Sequence, residues 1–159
     1  MELSPVSFKS LSSITYVIAL PRHERFKTPE FVHVSFSGRY RDGAEGAPDA
    51  TFIVAIMEAV QRAWYSECLI IDLTDLTYEW GDNMAWVYGI GWSGKTRCHK
   101  PLAIIVSEKC RKALRTLSPD DFDDDCVDSL DEAVDLVRSK KPEYDRCIDE
   151  WRQNPTKAT

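Results

Sequence analysis

A single α/β domain is what this chain predicts, on three observations. Runs of β-branched and aromatic residues alternate with stretches whose apolar residues fall at helical 3–4 spacing. One run, Leu69, Ile70, Ile71 and Leu73, is apolar at neighbouring positions with only Asp72 inside it, as a strand covered on both faces requires. The 159 residues suit one domain that buries a core without staples. The expected order is β-β-α-β-α-β-α-β-α, a mainly parallel or mixed sheet with helices packed on it. Residues 1–141 are expected to form the domain, and residues 142–159 a polar C-terminal helix with a frayed tail.

Residues 13–20 are rich in β-branched side chains and stop at Pro21, the pattern of a strand. Residues 31–40 continue with Phe31, Val32, Val34, Phe36, Gly38 and Tyr40, a second strand. Gly43, Gly46 and Pro48 mark a loop, and Asp49 is placed to cap a helix by accepting from a free backbone N–H. Phe52, Ile53, Ile56, Met57, Val60 and Trp64 then share one stripe of a helix over residues 50–65. The strand at 69–73 comes next, then a short helical pattern through Met84, Ala85, Val87 and Tyr88. Pro101 opens a buried strand to Val106, and Ser107 caps a helix to about Leu117. Residues 118–125 have the composition of a solvated acidic loop, and Cys126-Val127 that of a short edge strand. Ser129 and Glu132 form a capping box before a helix with Leu130, Ala133, Val134 and Val137 inward. Pro142 starts the last helix, with Tyr144, Ile148 and Trp151.

The net charge of −6 argues against a nucleic-acid or anionic-membrane partner, since phosphate binding needs clustered Lys and Arg. No apolar run approaches the roughly 20 residues of a membrane span, and the first residues lack a secretory signal pattern. The five cysteines are odd in number and widely spaced, with no C-x-x-C, which suits reduced thiols in a cytoplasmic protein.

In open α/β sheets the loops leaving strand carboxyl ends hold ligands or partners. That rule selects the acidic, glycine-broken corner Tyr78, Glu79, Trp80, Gly81, Asp82 and Asn83 as the candidate partner-binding site. Asp72, Asp75, Glu79 and Asp82 converge on it, but paired-carboxylate chemistry would lack a nearby His or nucleophile. Trp80, Trp86 and Trp92 recur around the same region, and an exposed pair would anchor a protein partner.

The stretch Ile71-Asp-Leu-Thr-Asp-Leu-Thr-Tyr78 resembles the strand of the STAS fold, which leads into Asp-Leu-Ser-Gly. Residues 126–137 are similar to that family's closing strand and helix. The resemblance, to the module of sulfate transporter tails and anti-sigma factor antagonists, covers residues 15–139. It implies a non-catalytic regulatory domain that binds a protein partner. Regulatory members of the family carry a phosphorylated serine at a helix start. Here Trp80-Gly81-Asp82-Asn83 takes those places and Gly81 stands where the serine would be, so the phospho-switch does not carry over. Asp82 is left either as a fixed charge favoured by the helix dipole or as an N-cap. The same strand and corner also resemble crotonase-type enzymes, whose second glycine-rich element is not visible in this chain.

Gly89-Ile-Gly-Trp-Ser-Gly94-Lys95-Thr96 fits the P-loop pattern G-x-x-x-x-G-K-T/S. In a P-loop, backbone amides cradle phosphates, the Lys reaches their oxygens and the Thr binds Mg²⁺. Gly89, Gly94, Lys95 and Thr96 are therefore candidate nucleotide-binding residues. Few residues separate Thr96 from Pro101 and the next strand, too few for the anchoring helix, and a flexible glycine loop is the alternative. Lys95, Arg97, His99 and Lys100 form a basic cluster suited to an anion or acidic partner. Cys98 and His99 are adjacent but lack a third orienting group. Asp120, Asp121, Asp123, Asp124 and Asp125 lack calcium-loop spacing, so no metal is expected.

The expected function is a non-catalytic protein-interaction or regulatory domain of STAS type, without a cofactor. A homodimer through the first two strands is left open. The alternatives are a small acidic bacterial immunity or antitoxin-like protein, which neutralises a basic toxin, and a nucleotide-binding protein using the 89–96 loop.

Overall fold

The structure, a computed structural model of the chain, describes residues 3–21 and 28–154. Its five-stranded sheet follows chain order: β1 (Thr15–Ala19), β2 (Phe31–Arg39), β3 (Cys68–Thr77), β4 (Leu102–Ile105) and β5 (Cys126–Val127). β1 is antiparallel to β2, and each later pair of neighbours is parallel. A one-turn α1 (Phe8–Leu11) precedes the sheet, and α2 (Ala47–Trp64) connects β2 to β3. A 3₁₀ helix (Met84–Gly89) lies between β3 and β4. Then α3 (Arg111–Leu117) and α4 (Pro119–Asp125) lead to β5, and α5 (Leu130–Gln153) closes the chain. The expected single α/β domain with a mixed sheet is what forms, with a 3₁₀ helix as the middle crossover and an added α4.

Alternation along the strands builds two cores. On one face Val32, Val34, Phe36, Leu69, Ile71, Leu73, Leu76, Leu102 and Ile104 pack under α2, the 3₁₀ helix, α3 and α4. On the other, Cys68, Ile70, Ala103 and Ile105 meet Ala133 and Val137 of α5. Each fully buried aliphatic side chain contributes about 1.5–3 kcal/mol. Double coverage is the reason residues 68–71 are apolar without a break. α5 covers β3, β4 and β5, while on the same face of the first two strands Val17 is exposed and His33, Ser35 and Ser37 are only half-buried.

The register between β2 and β3 shifts in the middle: Ser35 faces Asp72, but Ser37 faces Asp75. The extra residue in β3 is a bulge. It lets Leu73 and Leu76, three positions apart in sequence, both point into the first core, and it carries Tyr78 inward after them.

Several local expectations are corrected. Asp49 does not cap α2, which starts at Ala47; Asp49 lies within the first turn, fully buried against Arg41. Residues 118–125 are not a loop. Pro119 and the acidic Asp120 and Asp121 suit a first helical turn, and buried Phe122 anchors α4 to the core. Ser107 sits in a turn before α3 and donates its hydroxyl to the Thr74 carbonyl at 2.8 Å. Pro142 starts no helix, because α5 runs through it. Ser129 caps α5 through the Glu132 N–H at 3.3 Å, while Glu132 reaches past it to the Asp128 N–H at 2.9 Å. Leu130 stays exposed. The thiols are not all reduced: Cys98 and Cys147 form a disulfide, with Cα atoms 5.9 Å apart, and Cys68, Cys110 and Cys126 are free. Their sequence separation of 49 hid the pairing, since only the tertiary fold brings the loop before β4 against α5. Among the described residues, no helix is long and apolar enough to cross a membrane.

Candidate functional site

β3 delivers Tyr78 to the end of the sheet, and two neighbouring segments fix the turn beyond it. The Tyr40 N–H donates to the Thr77 carbonyl at 3.0 Å and the Tyr78 N–H to the Lys109 carbonyl at 3.1 Å. The two tyrosine rings meet edge to face at 5.1 Å. Tyr78 donates its hydroxyl to the Gly81 carbonyl at 3.2 Å, and Tyr40 donates to the Asp82 carbonyl. Burial pushes both phenols above their ordinary pKa, so they remain neutral donors. The Asp82 N–H closes the corner on the Gly43 carbonyl at 3.0 Å.

Glycine is needed here for close approach. A Cβ on Gly81 would lie 2.7 Å from the Arg41 carbonyl oxygen, and one on Gly46 would lie 2.5 Å from the same atom. Gly43 has φ of +60°, and the Trp80 ring lies against it, 3.0 Å from where a Cβ would stand. The indole is thus seated on backbone yet remains 61% exposed. Glu79 and Asp82 also face solvent; Arg39 pairs with Glu79 at 3.5 Å and with Asp42 at 3.3 Å. Asn83, in the left-handed region with φ of +68°, holds the position before the 3₁₀ helix without a side-chain cap. Asp82 is therefore not an N-cap. Of the six predicted residues, Tyr78 and Gly81 build the corner, Asn83 turns it, and Glu79, Trp80 and Asp82 present it. A shallow groove of about 350 Å³ adjoins it between Tyr78, Glu79 and α3.

The tryptophans do not make one patch. The three around this region are exposed, Trp80 at 61%, Trp86 at 51% and Trp92 at 56%. Trp80 lies just past the end of β3, whereas Trp92 bridges to His99 in the loop whose Pro101 carbonyl accepts the Leu69 N–H at the start of β3. The ten residues of β3 span roughly 30 Å between those ends.

The 89–96 stretch is a hairpin-like loop. The Ser93 N–H donates to the Cys98 carbonyl at 3.1 Å and the Arg97 N–H to the Ser93 carbonyl at 2.7 Å. The Thr96 N–H goes to Ser93 Oγ at 3.2 Å, and Thr96 Oγ1 accepts from the Cys98 N–H at 3.3 Å. Gly89 ends the 3₁₀ helix, Gly94 is exposed, and Lys95 stacks over Trp151 at 5.4 Å. β4 comes directly after, so these residues have neither the preceding strand nor the succeeding helix of a phosphate cradle.

Two further groupings are visible only in the fold. A cleft of about 910 Å³ opens between this loop, α4 and α5, with Trp92, His99, Asp125, Lys140 and Tyr144 among its walls. Lys140 Nζ donates there to the Leu102 carbonyl at 3.0 Å, to the Asp124 carbonyl at 2.9 Å and to the Asp125 carboxylate. Burial pushes the Asp125 carboxyl up despite that contact. On the uncovered side of β2, His33 Nε2 lies 3.3 Å from Asp72 Oδ2. Burial opposes ionisation of Asp72, but hydrogen bonds from His33 and Thr74 outweigh it and hold the carboxyl below its ordinary value. Only the strand register, which puts Ser35 opposite Asp72, signals this pair. Among the described residues no group of three or more His, Cys, Asp or Glu is arranged to hold a metal ion.

A scan against protein-family models finds no match, and a search of curated proteins finds none either.

Proposed function

We propose that the chain is a protein-interaction module of STAS type, without a serine phospho-switch, whose contact surface is the 78–83 corner. The observation that carries this reading is Trp80, held against Gly43 and still largely in solvent. Ordering an exposed side chain on binding costs free energy, and an indole already seated on backbone avoids most of that cost. Large aromatic side chains dominate binding hot spots. Glu79 and Asp82 flank Trp80 in the chain, Asp42 and Glu45 flank the Gly43 it rests on, and all four carboxylates are exposed, with Arg39 paired to Glu79 and Asp42. The partner that fits offers an apolar pocket with a Lys- or Arg-bearing rim, because complementary potential favours that orientation. A reducing, cytoplasmic setting belongs to the same proposal, and there a disulfide reached through half-buried Cys147 would cycle instead of persisting.

The test is affinity capture followed by binding measurements on the captured protein. The Trp80→Ala, Asp82→Arg double variant is expected to lose that protein by more than about tenfold in affinity, which corresponds to about 1.4 kcal/mol. Its thermal midpoint should stay close to the parent's, since neither side chain is buried. A double variant that holds the partner as tightly as the parent rules the corner out.

A further inference from the structure

Lys95, Arg97, His99 and Lys100 take no part in the corner; they flank Cys98, one half of the disulfide. The other half, Cys147, lies on α5 beyond Pro142, and the helix is held differently on the two sides of that proline. Before it, Ala133 and Val137 are fully buried on the sheet, and Lys140 ties the helix to Leu102, Asp124 and Asp125. Pro142 has no N–H, so the Arg138 carbonyl lacks its helical partner. Beyond it no described residue of α5 is fully buried; Tyr144, Cys147, Ile148 and Trp151 form a half-buried stripe. The stripe meets the loop through the Cys98–Cys147 bond and the Lys95–Trp151 stack, and a stack of that kind is weak at an exposed site. The loop keeps its own shape through the Ser93, Thr96, Arg97 and Cys98 hydrogen bonds. Both cysteines are among the residues that line the 910 Å³ cleft.

We propose that Cys98 and Cys147 are a reversible redox clasp: the disulfide ties the second half of α5 to the loop and narrows the cleft, and reduction by a protein dithiol releases that half of the helix. A thiolate of the dithiol attacks Cys147 Sγ, on the more exposed residue of the pair, and breaks the Sγ–Sγ bond. Cys98 leaves as a thiolate, and the permanent positive charge of Arg97, its neighbour in the chain, favours the leaving group. The second thiol of the dithiol then attacks the mixed disulfide and frees Cys147. Two electrons pass from the dithiol, which becomes a disulfide, and two protons end on Cys98 and Cys147. The free cysteines do not compete, because burial pushes Cys68 up to about 11, Cys126 up to about 12, and Cys110 in the same direction.

The experiment uses the full chain under native conditions. Cysteines are alkylated with iodoacetamide before and after incubation with dithiothreitol and assigned by mass spectrometry, with backbone hydrogen exchange measured in parallel. Cys98 and Cys147 are expected to be unlabelled in the air-oxidised protein and to label together after reduction, while Cys68 and Cys110 stay protected. Exchange over residues 143–153 rises on the order of tenfold on reduction, and residues 130–141 keep their protection. Cys147→Ser shows the raised exchange without reductant and does not respond to it. Free labelling of Cys98 and Cys147 before reduction, a bond that resists dithiothreitol until the chain unfolds, or unchanged exchange over 143–153 after reduction each overturns the proposal. The parent protein alone reads all of these, so a Cys147→Ser chain that fails to fold leaves the test standing.

Discussion

Asp49 sits fully buried beneath the loop that carries Gly43 and Gly46, and Arg41 makes that position tolerable. Arg41 donates its backbone N–H at 2.8 Å, Nε at 2.9 Å and Nη2 at 2.8 Å to the carboxylate, and Nη2 also meets the Leu11 carbonyl. Burial alone would raise the carboxyl, but hydrogen bonds from Arg41 and Ser12 outweigh it and hold Asp49 below its ordinary value. A carboxyl lowered in the folded state stabilises above the unfolded value of about 3.9, and that contribution is lost as pH falls through the lower folded value. Asp49→Ala should cost about 1–3 kcal/mol at pH 7, because it leaves the Arg41 donors that met the buried carboxylate without their acceptor, while the part-exposed guanidinium keeps some solvent. Asp49→Asn should flatten the acid limb of the stability curve. Urea unfolding at pH 7 and at about pH 3 checks both, and a variant with the parent's full acid sensitivity would show that Asp49 is not the group involved. None of this was legible in the residues. An Asp after Gly and Pro has the local signature of a cap, and the arginine that claims it is eight positions away across a loop.

The elements show which signals carry and which do not. β1 to β5 and α2 were legible because their patterns are local: period-2 alternation, apolar runs, and a 3–4 stripe over Phe52 to Trp64. The corner was legible too, as the end of a buried strand. Which of its side chains face water was not, because Tyr78 turns inward only through the β3 bulge and the Tyr40 ring. The acidic run 118–125 misled through composition: its helical signals, Pro119 and an acidic first turn, were present, but the burial of Phe122 and Asp125 depends on α5 and the core. Pro142 misled through propensity. A proline denies one backbone bond, and a 24-residue helix secured by Ala133, Val137 and Lys140 can continue past it. That denial still has an energetic consequence. Pro142 is exposed, so Pro142→Ala removes no core packing and restores the bond to Arg138. It should stabilise α5 by on the order of 1–3 kcal/mol. A raised thermal midpoint with slower exchange near residue 142 is the expected readout, and an unchanged midpoint would mean that helix bending has already relieved the strain.

At the scale of the whole molecule, the corner and the disulfide occupy opposite ends of β3, roughly 30 Å apart along the strand. Fully buried residues fill the space between them: Leu69, Ile71, Leu73 and Leu76 on β3, with Ile53 and Met57 of α2 above. One crossover, the 3₁₀ helix Met84–Gly89, connects the two ends outside the sheet. It is fixed along its length, with Met84, Val87 and Tyr88 buried and the Tyr88 hydroxyl donating to the Leu114 carbonyl at 3.2 Å. Coupling between distant sites needs an element with two arrangements that both sites bias, and a crossover packed this way is a poor candidate. Changes at well-separated positions then add instead of interacting. If the partner binds at the corner and the clasp works at the far end, its affinity should stay within about twofold between oxidised and reduced protein, while Trp80→Ala should weaken it by about tenfold or more in both states. Calorimetry of the captured partner against four samples, parent and Trp80→Ala in each redox state, gives the comparison directly. A redox-dependent shift approaching tenfold would mean that releasing α5 repacks the crossover, and the corner would then have to be treated as one end of a switch.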